Sequence, residues 1–285
     1  MLLATILALA SAALHAGWNL LVKTSDDRDL ATWGQFLFGG VLVLPVLAVL
    51  GLPESVSFPY LAASGLIHVA YVIGLVKAFH HGDFSLAYPL ARGGGALLAA
   101  FGGVVLLGDH MGNGQWVGLL IVGIGLLSLV GGKPSRPAIL WALFTAATIG
   151  AYTLVDSKGS RLSGNGMLYG FALMPCSAVC ISASQMLRGR TRAFGAAMRT
   201  QWPRWLVAGV FLTAAYSMVM VAVRQTDATG QLVPVGHVTM LRESSVVMGA
   251  LAGWLWLHEK LGRQRLISSI IIVVGLVTMV VFQAR

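Results

Sequence analysis

The chain has 285 residues, of which 57% are hydrophobic and only 10% are charged. Soluble domains carry a charge on roughly 25% of their residues, so this composition excludes an ordinary water-soluble enzyme or binding domain. The formal net charge is +9, but the basic residues lie in short polar breaks between apolar runs and form no basic soluble face for nucleic acid. A membrane is therefore the expected environment.

Ten apolar runs follow one another along the chain, and a membrane-spanning helix needs about 20 mostly apolar residues. The runs cover residues 2–22, 33–50, 59–79, 84–107, 115–131, 138–156, 166–187, 204–223, 230–257 and 263–282. The first run has the apolar character of a secretory signal, but no basic residue precedes it and nine more runs follow, which favours a retained helix. The pattern predicts an all-α integral membrane protein with ten transmembrane helices.

The two halves of the chain share several features. A break rich in proline and glycine at residues 131–137 leaves five runs on each side. The corresponding runs at 90–109 and 240–259 each have an arginine near the start and an acid seventeen residues later. The other matching pairs are Ala70-Tyr71 with Ala215-Tyr216, Pro89 with Pro234, and Trp18-Asn19 with Tyr152-Thr153. Five helices per half would invert the second half, so we expect two inverted repeats, residues 1–132 and 138–285, with a site at their interface.

The distribution of lysine and arginine predicts the orientation of the chain. The breaks after the odd-numbered runs contain thirteen of these residues, whereas the opposite side has four. The positive-inside rule places the thirteen in the cytoplasm and both termini outside.

Polar residues recur every three or four positions along the first run and again along the sixth, so each set lies on one helix face. The first set includes His15, Trp18 and Asn19, and the second includes Tyr152 and Asp156. Polar groups at that depth either join neighbouring helices or line a water-filled cavity.

Three smaller features leave alternatives open. Tyr71 and Tyr216 occupy equivalent positions in the two halves and either line the cavity or anchor the helices at the membrane surface. The glycine triplet at 93–95 makes room either for a neighbouring helix or for a substrate. Cys176 and Cys180 lie one helical turn apart, which favours packing over a disulfide or a metal site.

Arg92 and Arg242 are the residues that point most directly to a binding site. An arginine in hydrocarbon costs at least about 2.5–3.5 kcal/mol, and this chain has one in each half. A guanidinium presents a planar fork of donors that suits carboxylate, phosphate or phosphonate. With Glu243 beside Arg242, a shared cavity would be positively charged overall and would favour an anionic or zwitterionic ligand. Alternatively, Arg242 pairs internally with Glu243 or another acid and Arg92 reaches the membrane surface.

Four motifs spread over both halves resemble those of the EamA family of the drug/metabolite transporter superfamily. They are His15-Ala16-Gly17-Trp18-Asn19 with Lys23, Tyr88-Pro89-Leu90-Ala91-Arg92-Gly93, Tyr152-Thr153 with Asp156, Gly159 and Arg161, and Leu241-Arg242-Glu243-Ser244-Ser245 ending in Leu257-His258-Glu259. The resemblance implies ten helices in two repeats and transport of small metabolites by alternating access. It also implies cytoplasmic termini, opposite to the charge distribution. Family members usually have glutamate where this chain has Asp109, a position expected at the membrane edge.

From these observations we expect a secondary transporter of the cell membrane that exports a small polar metabolite, either an amino acid or another anionic or zwitterionic compound. The predicted substrate-binding residues are His15, Trp18, Asn19, Tyr71, Tyr88, Arg92, Tyr152, Tyr216, Arg242 and Glu243. The candidate proton carriers are Glu243, Asp156 and His15, because carboxyl groups and imidazoles can change charge when buried. An exporter of cationic drugs and a lipid flippase are the alternatives.

No enzymatic activity is expected, since the histidines are scattered and no long loop could hold a catalytic site. The chain is expected to need no metal or other cofactor. Its expected partners are a small-molecule substrate and membrane lipids, without nucleic acid, and it is expected to be a monomer or a weak homodimer.

Overall fold

The computed structural model describes residues 1–81, 84–128, 135–248 and 263–282, and it is helical throughout these ranges apart from short connections. The helices are α1 (Leu2–Lys23), α2 (Arg28–Leu50), α3 (Phe58–His81), α4 (Phe84–Leu107), α5 (Asn113–Ser128), α6 (Arg136–Leu162), α7 (Gly166–Leu187), α8 (Thr191–Ala222), α9 (Val235–Arg242) and α10 (Arg263–Val281). Residues 244–248 are helical again after a turn at Glu243. The structure thus has an all-α fold over the described residues.

Seven helices within the described residues are long and apolar enough to cross a membrane, namely α1 to α4 and α6 to α8. Two shorter apolar helices, Asn113–Ser128 and Ile267–Val281, lie among the same residues. Large apolar side chains such as Val49, Leu106 and Val179 are exposed on the outside of the bundle, as expected where hydrocarbon replaces water. The protein is a multi-pass membrane protein.

Local sequence signals set several helix ends. Asp27, Ser135 and Asn165 each accept hydrogen bonds from the first backbone N–H groups of α2, α6 and α7. Gly164 and Gly189 adopt positive φ angles in the connections after α6 and α7, which a residue with a side chain rarely does. These residues explain why the connections between the helices are short.

Helices α6 and α8 extend farthest beyond the apolar runs that predicted them. Helix α8 begins at Thr191 instead of residue 204, and α6 continues to Leu162 instead of ending at residue 156. The extension of α8 is held by Phe194, whose ring stacks between those of Trp33 and Trp205 at centroid distances of 4.0 and 4.9 Å. Hydropathy identifies only the part of a helix that lies in hydrocarbon, so it cannot detect such polar ends.

The ninth run is only partly helical where the structure describes it. Residues 223–234 form a connection with one isolated bridge between Thr226 and Leu232, and α9 starts at Val235 instead of residue 230. The Thr229 hydroxyl donates to the exposed Asp227 carboxylate and lowers its pKa below the usual value. The rest of this run and much of the predicted break at 131–137 lie outside the described residues.

Helices from the first and second halves of the chain pack mainly on each other. Helix α6 contacts α3 and α4, α8 contacts α1 and α2, α7 contacts α2 and α3, and α10 contacts α5. Small residues allow the closest approaches, since a Cβ added to Gly209 on α8 would lie 2.7 Å from the Gly39 nitrogen on α2. This packing brings α1, α3, α4, α6, α8 and α9 around a common centre.

Candidate functional site

A buried ion pair joins α4 to the end of α9. The Arg92 Nη2 atom donates to the Glu243 Oε1 atom at 2.7 Å, and the two side chains are only 7% and 3% exposed. The second carboxylate oxygen, Oε2, is buried and has no hydrogen-bond partner in the described part of the chain. Glu243 therefore pairs with the arginine of the other half of the chain and not with its own neighbour Arg242.

Arg242 is equally buried, with 6% of the residue exposed. Among the described residues, its guanidinium makes no hydrogen bond and no ion pair. Its Cζ atom lies 5.9 Å from the centroid of the Tyr216 ring, within the range of a cation–π contact. The structure therefore shows neither the Arg242–Glu243 pair nor the surface position of Arg92 that the sequence left open as one alternative, because Glu243 pairs with Arg92 and both arginines are buried.

The charges of this cluster do not balance. Arg92 and Arg242 contribute two positive charges and Glu243 contributes one negative charge, which leaves one positive charge within this three-residue cluster. Both arginines also lie close enough to His15 and Tyr152 for electrostatic interaction. A buried charge without a partner is costly, so the cluster is suited to receive one negative charge.

Aromatic side chains lie next to the cluster of Arg92, Arg242 and Glu243. The His68 ring stacks on Tyr152 at 4.4 Å, and Tyr71 contacts Tyr152 edge to face at 5.7 Å. Tyr216 lies 6.4 Å from Tyr152. The side chains come from α3, α6 and α8, so tyrosines that are far apart in the sequence meet at one place.

Asp156 on α6 lies directly behind this aromatic layer and is fully buried. Its Oδ2 atom accepts hydrogen bonds from the hydroxyls of Tyr216 at 2.5 Å and Ser64 at 2.8 Å. Its Oδ1 atom accepts a hydrogen bond from the Tyr169 hydroxyl at 2.9 Å. No arginine or lysine among the described residues bonds to this carboxylate.

The polar residues of α1 differ from one another in burial and hydrogen bonding. His15 and Trp18 are buried and contact each other edge to face at 4.7 Å, and the indole N–H of Trp18 has no partner in the described ranges. Asn19 is half-buried and donates to the His15 carbonyl of its own helix at 2.7 Å. The Asn19 side-chain amide thus makes a hydrogen bond within α1. The Tyr88 side chain lies outside the described part of the structure.

The glycine triplet beside Arg92 packs against helices. A Cβ added to Gly93, Gly94 or Gly95 would lie 2.5–3.0 Å from side-chain atoms of α5 or α6, the nearest being a methyl carbon of Ile149. The space that the sequence left open for a substrate is filled at all three glycines. Cys176 and Cys180 are free thiols, and the Cys176 thiol donates to the Leu61 carbonyl.

A second buried ion pair lies at the end of the bundle that carries residues 108–112, 163–165 and 223–234, which we call the terminal end. The Arg161 Nη1 atom lies 2.7 Å from the Asp109 Oδ1 atom, and Arg161 also donates to the Val223 and Val233 carbonyls. The other oxygen of Asp109 accepts from the Val235 N–H and thereby caps α9. Asp109 is thus buried and ion-paired at this end of the bundle.

Sequence reasoning missed Ser64 and Tyr169 as partners of Asp156, and it did not foresee the pairing of Asp109 with Arg161. A fully buried carboxylate must find donors, so an acid in an apolar run is itself a signal that hydroxyls from other helices approach it. Nothing in the spacing of the sequence indicates which hydroxyls those are.

Comparison of the sequence with models of known protein families identifies the family of this chain. The model of the EamA-like transporter family matches residues 136–281, slightly more than half of the chain. The chain belongs to the EamA-like transporter family. This EamA protein is therefore a membrane transporter, and its family is one of transporters, not of enzymes.

A solved crystal structure of another protein has the same fold as this EamA chain. The similarity covers 99% of both chains with a TM-score of 0.77 and 16% sequence identity. No curated protein sequence matches the chain.

Proposed function

We propose that this EamA protein transports a small metabolite that carries a carboxylate or a phosphoryl group, and that the negative group binds beside Arg242. The observation that carries the proposal is that Arg242 is buried, with 6% of the residue exposed, and has no acidic partner among the described residues. His15 lies within electrostatic reach of Arg242 and contacts Trp18, whose indole N–H has no partner among the described residues. The proposed binding set is the one predicted from the sequence, with Arg242 at its centre.

Electrostatics favour an anion over a cation in this position. An unpaired charge in the low-dielectric interior costs several kcal/mol, and a bound anion would supply the missing partner through charge-assisted hydrogen bonds. A hydrophobic cation would meet a net positive centre and be repelled, which disfavours the drug-exporter alternative. An amino acid remains compatible, because its ammonium group can approach the free Oε2 atom of Glu243 or the face of Tyr152.

The packing of the helices supports two inverted repeats, residues 1–132 and 138–285. Helix α1 packs on α8 while α6 packs on α3, α2 packs on α8 while α7 packs on α3, and α4 packs on α6 while α9 packs on α1. Each contact becomes its partner when every helix is replaced by the one five places along the chain. This is the relation expected of two five-helix repeats with a site between them.

Alternating access needs a closure on each side of the site, and the terminal end supplies a candidate for one closure. Arg161 and Asp109 link α6, α4 and α9 there, and Arg224 donates to the Ser160 and Gly164 carbonyls. We propose that these contacts open and close as the repeats move. By the distribution of basic residues, this end faces outside.

Thermal unfolding of the purified protein tests the proposed ligand class. Methanesulfonate, L-alanine and tetraphenylphosphonium represent a permanent anion, a zwitterion and a hydrophobic cation. We expect methanesulfonate to raise the unfolding temperature, since a ligand at 100 times its Kd stabilises the folded state by about 2.7 kcal/mol. Arg242→Gln should abolish the shift, whereas Arg192→Gln, at an exposed arginine of α8, should keep it.

The proposal fails if only tetraphenylphosphonium stabilises the protein. It also fails if the anion stabilises wild-type protein and Arg242→Gln equally, because the anion then binds elsewhere.

A further inference from the structure

Asp156 is the feature that the proposed anion site does not use. The carboxylate is fully buried, and its three hydrogen-bond donors are all neutral hydroxyls, those of Ser64, Tyr169 and Tyr216. By contrast, the other two buried acids among the described residues, Asp109 and Glu243, are each bonded to an arginine. The hydrogen-bond partners of Asp156 therefore do not require its carboxyl group to stay ionised.

Hydroxyl groups suit both protonation states of a carboxyl group. A hydroxyl donates to a carboxylate, and after a rotation of its O–H bond it accepts the proton of a carboxylic acid. An arginine could serve only the charged form. The surroundings of Asp156 can thus exchange between the two states by rotating hydroxyl hydrogens, without moving a helix.

No other charged group adjoins Asp156 among the described residues packed against it. From α3 it meets Ser64, whose hydroxyl also contacts the His68 ring, and from α7 it meets Tyr169. From α8 it meets Tyr216. The remaining titratable groups in electrostatic reach are Tyr152 on α6 and Cys176 on α7. His68 reaches Asp156 only through Ser64 and packs on Tyr152.

Tyr216 connects this carboxyl group to the anion site. Its hydroxyl donates to Asp156 at 2.5 Å, while its ring lies under the guanidinium of Arg242 at 5.9 Å. One side chain therefore contacts both the unpaired positive charge and the buried acid.

Counting the buried charges shows how the two places depend on each other. With Asp156 ionised, Arg92, Arg242, Glu243 and Asp156 sum to zero without a substrate. An added monovalent anion makes the sum negative, and one proton on Asp156 returns it to zero. In a medium of low dielectric constant the neutral combinations are strongly favoured over the charged ones.

We propose that Asp156 takes up one proton from solution when a monovalent anion binds beside Arg242, so that the protein carries a proton and an anion together. The step forms an O–H bond on the Asp156 carboxylate and involves no oxidation or reduction. The inference rests on the proposed function, because it needs an anion at Arg242. Tyr216 acts as a positioning residue that holds the two sites in contact.

The coupling has a direct consequence for transport. Because proton and anion move in the same direction, net transport follows the sum of their two gradients. Export, the direction predicted from the sequence, then requires an outward anion gradient that exceeds the inward proton gradient.

The test is the Kd of methanesulfonate, measured by thermal-shift titration between pH 5 and pH 9. Methanesulfonate stays ionised over this range, so any pH dependence belongs to the protein. Wild-type affinity should fall as the pH rises, by up to about tenfold per pH unit over part of the range, because anion and proton favour each other's binding reciprocally. A pH indicator in weakly buffered solution should report uptake of protons when the anion is added.

Asp156→Asn provides the matched variant, because an amide has the shape of the protonated acid. It should bind methanesulfonate with a Kd that does not vary with pH and without proton uptake. Asp26→Asn, at an exposed acid between α1 and α2, should behave as the wild type. Size-exclusion chromatography of each variant checks that it folds.

The outcomes separate the two proposals. Binding by the wild type with a constant Kd and no proton uptake overturns the coupling and leaves the anion site intact. If the Kd of Asp156→Asn still varies with pH, the proton binds to another group, and the role of Asp156 is overturned. No stabilisation by methanesulfonate at any pH contradicts the proposed function itself.

Discussion

At the scale of single residues, two arginines at equivalent positions of the sequence have different partners. Arg92 is ion-paired with Glu243, whereas Arg242 has no ion pair among the described residues and lies against the Tyr216 ring. The sequence singled out both arginines, because a guanidinium in an apolar run is rare and costly. It could not show which one is paired, since Arg92 and Glu243 are 151 residues apart and meet only through the packing of α4 and α9.

This difference predicts that the two arginine substitutions have unequal effects on stability. Arg92→Gln leaves the Glu243 carboxylate buried without its partner, so it should reduce the free energy of unfolding by about 3–5 kcal/mol. Arg242→Gln removes a charge that has no partner, so it should cost less or even stabilise the protein without ligand. Unfolding in detergent, followed by tryptophan fluorescence, measures both.

The double variant Arg92→Gln/Glu243→Gln serves as the control, because it removes both charges of the pair. It should recover much of the stability lost in Arg92→Gln. Equal destabilisation by the two single arginine variants would contradict the assigned pairing.

At the scale of helices, the start of α9 depends on other elements for its cap. Its N-cap residue, Pro234, makes no side-chain cap, and the Asp109 carboxylate from the end of α4 accepts the Val235 N–H instead. Arg161 of α6 pairs with the same carboxylate. The position of α9, and with it that of Arg242, is thus tied to α4 and α6 at the terminal end.

We therefore predict that Asp109→Asn loosens the terminal end of the bundle. The amide keeps one acceptor for the Val235 N–H but loses the charge that holds Arg161. A cysteine introduced at Thr239, which is buried on α9, should react faster with a small maleimide in Asp109→Asn than in a protein with native Asp109.

Asp227→Asn is a suitable comparison, because this exposed acid lies at the same end of the bundle but outside the ion pair. It should leave the labelling rate unchanged. An identical rate in Asp109→Asn would show that the ion pair does not keep this end closed.

At the scale of the whole molecule, hydropathy predicted most helices, because the solvent around a membrane protein selects long apolar runs. It placed the start of α8 thirteen residues late, at residue 204 instead of Thr191, since the basic segment before residue 204 is helical outside the apolar run. The site was predicted only in part. Tyr71, Tyr152 and Tyr216 do meet, but the partners of Asp156 depend on helix packing that no local spacing encodes.

The orientation of the chain is also a property of the whole molecule. Thirteen basic residues in the odd-numbered breaks against four in the others predict that the terminal end faces outside. Alkaline phosphatase, which is active only outside the cytoplasm, should be active when fused after residue 285, whereas a fluorescent protein that folds only in the cytoplasm should not. The reverse pattern would establish cytoplasmic termini, as the family resemblance implies.

The most direct test of the central claim is the exchange of radiolabelled methanesulfonate by the protein reconstituted in liposomes that contain the unlabelled anion. Exchange needs no driving gradient, so it reports binding and alternating access whatever the direction of net transport. We predict rapid exchange by the wild type and by Arg192→Gln, and background exchange by Arg242→Gln. Exchange by Arg242→Gln at the wild-type rate would contradict the claim that the anion crosses the membrane beside this arginine.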